Sequence, residues 1–174
     1  MIRRWLVPVI VALAVACATY AGVLAAAPHV LMMGAFKRLG GGGVNRFYAV
    51  PLADEHARMV VRPSPDLAYS TCPFDLSEGP VLVDVQPVPA PYWSLSVFDM
   101  ATNTAFVRNN LQSLSKPVRI ALVAEGQTPP PGVEAVRMPG TRGIALIRIL
   151  VDNRARFPEI DRVRRTASCG VAGG

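Results

Sequence analysis

"WSLSVF" (93–98) sets Trp93, Leu95 and Val97 against Ser94 and Ser96. Alternation with period two places one set on a buried face and the other on a solvated face, the pattern of a half-buried β-strand. "VLVDV" (81–85) repeats it with Val81, Val83 and Val85. "VRIALVA" (118–124) and "GIALIRILV" (143–151) are apolar almost throughout, as central strands covered on both faces are. Between them stand "EGP", "QPVPAP", "EGQTPPPG" and "MPGTRG", turns whose prolines remove donors that a central strand would need. The spacing predicts a mainly β domain, a sandwich or barrel-like sheet of about six to eight short strands.

A short helix is expected near the C-terminus. In "FPEIDRVRRTASC", Pro158 suits a first helical turn. Glu159 and Asp161 lie near the positive end of the helix dipole, Arg164 and Arg165 near the negative end. Ile160, Val163 and Ala167 share one face, and Asp161 can pair with Arg165 four residues on. The basic residues read as a solvated face.

The N-terminal end follows different rules. From Trp5 to Ala27 the chain carries no charge. A helix of those residues reaches roughly 34 Å, enough to cross a hydrocarbon core. The run is longer than the 7–15-residue core of a cleaved signal, and it continues well past Cys17, where "AVAC" loosely matches a lipoprotein box. An uncleaved signal anchor is therefore favoured over a cleaved signal or a lipoprotein. Arg3 and Arg4 favour a cytoplasmic N-terminus, while Lys37 and Arg38 pull the other way. The expected organisation is a cytoplasmic N-terminus (1–4), a transmembrane helix (5–27), an interfacial segment and glycine linker (28–43) and an extracytoplasmic β-rich domain (44–174). That makes a single-pass inner (cytoplasmic) membrane protein with its C-terminal domain in the periplasm.

Charge placement excludes one class of partner. The net charge is +6, but Arg3, Arg4, Lys37 and Arg38 flank the apolar run. Without them, fourteen basic residues face twelve acidic ones, too even a balance for a nucleic-acid surface. Nor does a metal or cofactor site show. The two histidines, His29 and His56, and three cysteines form no cluster at zinc-ligand spacing, so neither a metal nor a cofactor is expected. "SLSK" (113–116) matches a bare S-x-x-K, but Pro117 follows at once and the companion motifs are missing, so it reads as a turn. Cys72 and Cys169 are the two thiols of the ectodomain. In an oxidising compartment they would bridge and tie the C-terminal helix to the sheet; the alternative is a buried free Cys72 with a loose Cys169.

"VRPSPDLAYST" (61–71) holds most of the remaining chemistry. Pro63 and Pro65 push Arg62 and Ser64 into extended backbone. Pro65-Asp66 favours a turn in which the Asp66 carboxylate accepts backbone N–H groups just ahead. Arg62 and Asp66 flank this corner and can pair across it. Arg62, Asp66, Tyr69, Ser70, Asp99 and Asn103 are the residues expected to form either a structural corner or a ligand site.

"RPSPDLAYSTCPFDLSEGPVLVDV" followed by "YWSLSVFDMATNT" resembles the domain-of-unknown-function 1254 family. Arg62, Asp66, Tyr69, Ser70, Phe74, Asp75, Leu76, Gly79, Pro80, Tyr92, Ser94 and Asp99 fit its pattern. The longer members commonly have Asp-Thr-Leu-Tyr where this chain has Asp66-Leu67-Ala68-Tyr69. The resemblance implies a β-rich fold. It also implies a partner resembling domain of unknown function 1214, fused in longer members and separately encoded for a short, membrane-anchored form. It supplies no reaction. Two functions follow as expectations. One is a non-catalytic binding or partner-subunit module at the cell envelope. The other is half of a hydrolase-like envelope enzyme, with Arg62 holding an anionic substrate, Asp66 or Asp99 as acid/base and Tyr69 orienting.

Overall fold

The computed structural model describes residues 2–53 and 63–173. It opens with one long helix, α1 (Ile2–Leu39), which contains both Pro8 and Pro28. The helix thus continues through the segment expected to be interfacial. It is the one helix among the described residues that is long and apolar enough to span a membrane. Its apolar side chains from Trp5 to Leu24 are exposed, whereas Met32 is buried and Phe36 is half-buried. The last turns therefore meet the β domain and the earlier ones do not. Residues 40–43 are not a bare spacer. The Gly43 N–H bonds Gly40 O at 2.8 Å, the Tyr48 hydroxyl donates to Gly43 O at 2.9 Å, and Asn45 N–H donates to Pro73 O at 2.8 Å.

Among the described residues, nine strands build two sheets. The first has the order β1 (Tyr48–Ala49), β2 (Leu67–Asp75), β8 (Arg142–Leu150), β4 (Trp93–Asp99), β5 (Thr104–Asn109). The second has the order β7 (Glu134–Arg137), β6 (Val118–Val123), β3 (Val81–Val85), β9 (Ser168–Val171). All pairings are antiparallel except β6 with β7. The chain is therefore mainly β, as the alternation predicts, with an N-terminal apolar helix and a short C-terminal one. Ala68, Cys72, Phe74, Trp93, Leu95, Val97, Ala145, Ile147 and Ile149 of the first sheet meet Val81, Val83, Val85, Ile120, Leu122 and Val136 of the second in one core. These inward sets recur at every second residue, which is the reason their strands are legible as strands.

Two local features show how the register is fixed. Gly143 pairs with Phe74 across β2 and β8, and a Cβ there would lie 2.3 Å from Phe98 O and 2.5 Å from Phe74 Cζ. The Phe74 ring occupies the space that a side chain would take, so only glycine fits. Pro73 is tolerated inside β2 because the short β1 pairs only with Ser70 and Thr71 and has ended by then.

The C-terminal region departs from expectation in two ways. The helix α3 (Phe157–Arg164) follows a single 3-10 turn at 154–156, and the chain leaves it before Cys169. Thr166 Oγ1 donates to Val163 O at 2.8 Å, and residues 168–171 then pair along the open edge of β3 as β9. Backbone donors on that edge outcompete further helix. Second, Arg164 is not solvated. Its side chain is 1% exposed, with Nε 2.7 Å and Nη2 2.5 Å from Asp161 Oδ1 and Nη1 2.7 Å from Tyr69 O. Arg165 stays in solvent and pairs with Asp161 at 2.7 Å, as its spacing predicts. Ile160 is fully buried, with Val163 and Ala167 beside it.

Candidate functional site

Cys72 on β2 and Cys169 on β9 are bonded, with Cα atoms 6.6 Å apart and a sequence separation of 97. The bond joins the two sheets rather than the helix to a sheet, because Cys169 belongs to a strand. On the opposite side, Arg108 of β5 and Glu134 of β7 form a two-bond ion pair at 2.7 and 2.9 Å, also across the sheets.

The residues singled out in the sequence do not assemble into one site. Arg62, with His56, lies outside the described residues. Asp66 is exposed in the turn before β2. Its carboxylate is not what holds that turn: Ser64 Oγ accepts the Asp66 N–H at 3.4 Å, and Ser64 O accepts the Leu67 N–H at 3.3 Å. Tyr69 points to the outer face of the five-stranded sheet, where its hydroxyl accepts the Ser64 N–H at 3.1 Å. Ser70 points the other way, into the core, fully buried. Asp99 and Asn103 do come together, in the β4–β5 turn. Asp99 Oδ1 accepts the N–H groups of Ala101 and Asn103 at 2.8 Å each, and Oδ2 accepts Asn103 Nδ2 at 2.9 Å. Burial pushes the Asp99 carboxyl up, but the Asn103 side chain and these backbone donors outweigh it and hold it below the usual carboxylate range. That carboxylate is occupied by its own turn. Asp66 O receives the Val151 N–H, whereas Asp99 pairs with Gly143. Eight residues of β8 separate the two levels, roughly 26 Å at about 3.3 Å per residue. Asp66 and Asp99 thus do not form a working carboxylate pair.

A different group emerges on the outer face of the same sheet. Arg148 stands on β8, the central strand, directly between Tyr69 on β2 and Ser94 on β4. Its Nη2 donates to Ser96 Oγ at 3.3 Å, and its Nε is buried without a partner. Ser94 and Thr71 share that face, and their hydroxyls are buried without partners too. Sequence reasoning missed Arg148 because "GIALIRILV" reads as core, yet one cation in an apolar central strand is itself a signal. It misread Ser94 and Ser96 as well. Period two separates two faces but does not say what covers the second one, and both serines are fully buried.

At the β5 edge the surface is apolar. Val107 on β5 and Leu111 and Leu114 around α2 (Asn110–Ser113) are exposed, the two leucines at 76%. Asn110 Nδ2 donates to Pro91 O at 3.2 Å and so brings exposed Tyr92 beside them. Asn109 and Gln112 close α2 with a capping box, and Leu114 and Ser115 follow at positive φ, which presents Leu114 outward.

The fold is a two-sheet β-sandwich bonded across its sheets and preceded by an apolar helix of membrane-spanning length. Residues 44–170 match the family model described as "Protein of unknown function (DUF1254)". The chain belongs to that family. Among solved structures it is similar to the VPA0106 protein from Vibrio parahaemolyticus, at 16% identity and a TM-score of 0.60, covering 86% of this chain and 38% of that one. An uncharacterized protein from Burkholderia cenocepacia is similar over 64% of this chain and 33% of that one, at 16% identity and a TM-score of 0.48. This chain therefore spans well under half the length of either. No curated protein matches it.

Proposed function

We propose that this protein is a non-catalytic module, tethered to the cytoplasmic membrane by α1 with its β-sandwich in the periplasm. There it docks a separately encoded, β-rich second polypeptide of the domain-of-unknown-function 1214 type. The observation that carries the partner reading is the apolar group of Val107, Leu111, Leu114 and Tyr92 beside β5, an edge strand. An exposed edge capped by leucines is a surface that proteins cover. The Vibrio protein supports this reading, since the related fold makes up 38% of a longer chain there. The bonded Cys72 and Cys169 support a compartment that oxidises thiols. The separation of Asp66 from Asp99 favours binding over acid–base work.

The test is purification of the full chain from its native membrane in detergent, with the companion identified by mass spectrometry and mapped by a photo-crosslinker at position 111. The expected result is a stoichiometric β-rich companion crosslinked there and released by Leu111→Glu with Leu114→Glu. A chain that elutes alone overturns the partner reading. Topology is checked separately by a C-terminal reporter active only in the periplasm. A well-expressed but inactive fusion overturns the location.

A further inference from the structure

We propose that the outer face of the five-stranded sheet holds a site for the oxyanion group, carboxylate or phosphate, of a small soluble molecule, centred on Arg148. The inference stands apart from the partner reading in its residues, although the two adjoin: Val107 lies on the same face, opposite Ser96.

Arg148 is an exception among its kind. Three arginines of the described β domain are buried or half-buried: Arg108, Arg148 and Arg164. Arg108 has Glu134 and Arg164 has Asp161, each in hydrogen-bonded contact. Arg148 has no carboxylate within ion-pair distance among the described residues; its one bond goes to a serine hydroxyl. A half-buried guanidinium whose Nε is buried without a partner is costly, and an apolar side chain in a strand that runs "ALIRIL" would fit more cheaply. Such a cost is retained where the group serves binding.

The surroundings supply what an oxyanion needs. The Arg148 Nε–H is unspent, and a guanidinium meets carboxylate or phosphate oxygens with parallel donors. Ser94, its direct cross-strand neighbour, and Thr71, one row along on β2, are buried with hydroxyls that lack partners. Each hydroxyl can turn to donate. Pairs directly opposite across strands stand about 5 Å apart, so one small group reaches Arg148 and Ser94 together. Tyr69 walls the other side of Arg148. Three unsatisfied donors share one face, and an oxyanion seated beside Arg148 would take its Nε–H and the Ser94 hydroxyl together.

The experiment titrates the full chain, in zwitterionic detergent, with inorganic phosphate and separately with acetate. Calorimetry reads the affinity, and amide shifts of Thr71, Ser94 and Ser96 read the place. Saturable binding of at least one probe at those amides is expected. Arg148→Met should weaken it by roughly 10- to 100-fold, the loss of a hydrogen bond to a charged group. The same variant should melt no lower than the parent, because it removes an uncompensated charge; a merely structural arginine would lower the melting temperature. Failure of both probes to saturate overturns the site, as does unchanged affinity in Arg148→Met. Should that variant not fold, Arg148→Lys and Ser94→Ala decide, and unchanged affinity in both overturns the proposal. A further arm adds phosphatidylglycerol to the micelles. Displacement of the probe by the lipid assigns the oxyanion to a headgroup and overturns the soluble-ligand assignment.

Discussion

The two open sides of the sandwich are closed by different means. On the β2/β9 side, a covalent bond joins Cys72 to Cys169, and buried Arg164 spans from Asp161 on α3 to the Tyr69 carbonyl of β2. On the β5/β7 side, Arg108 and Glu134 are the ion pair that reaches across among the described residues, with side chains 31% and 46% exposed. A cross-link over a long loop constrains the unfolded chain strongly, whereas an exposed ion pair is screened by water and salt. One side is locked and the other only latched. The latched side is also the side with the exposed leucines. A surface that receives a partner is drawn from the weakly held end of a structure.

This asymmetry can be broken at the locked side first. Replacing Cys72 and Cys169 together by alanine should cost on the order of 4 kcal/mol, read as a lower urea midpoint. An unchanged midpoint would mean that the bond adds nothing to the closure. Arg164→Ala comes next, at about 2–3 kcal/mol, because it removes a buried side chain that makes charged hydrogen bonds to Asp161 and to the Tyr69 carbonyl, which keep only Arg165 and the Val50 N–H. The same assay reads it, and Arg165→Ala serves as the exposed control, with a loss within about 0.5 kcal/mol. Arg108→Ala on the latched side should cost less than about 1 kcal/mol, and 1 M salt should shrink the difference further. A loss as large as that of Arg164→Ala would abolish the contrast.

Acid sharpens the comparison. Hydrogen bonds from Arg108 hold the Glu134 carboxyl below its usual range against the opposing effect of burial. Burial pushes Asp161 up, but bonds from Arg165 and Arg164 outweigh it, so Asp161 too lies low. A carboxyl with a depressed folded pKa contributes stability above its unfolded pKa of about 4, and loses it as pH falls through the lower folded value. Both sides weaken in acid, but the disulfide does not titrate. Hydrogen exchange below pH 4 should therefore speed up in β5 and β7 before β2 and β9. Simultaneous loss of protection on both sides would count against a latch.

The same contrast explains what the sequence discloses. β3, β4 and β8 are legible because each buries alternate residues in the core. β9 is not, because "SCGV" has no pattern of its own and becomes a strand only on the free edge of β3. Arg164 looks solvated beside Arg165, since a helical spacing says nothing of a carbonyl contributed by a strand 95 residues earlier. The candidate site is least legible of all. Tyr69, Thr71, Ser94 and Arg148 sit on three strands, and only their register makes them neighbours. Asp99 and Asn103 both stand among the residues expected at a site, and their contact serves a turn.

The position of the two bonded cysteines also sets a timetable. In a chain exported as it is made, N-terminus first, Cys72 emerges 97 residues before Cys169. At synthesis rates of about 5–20 residues per second, that is roughly 5–20 s during which its thiol waits without its partner. Cys17, the other cysteine already made, lies within the apolar helix, and in the proposed membrane placement lipid would keep it from the oxidising solvent. In that proposed placement the apolar helix would do more than hold the domain in place: by sequestering the one competing thiol, it would leave the late-arriving strand as the outlet for the waiting cysteine.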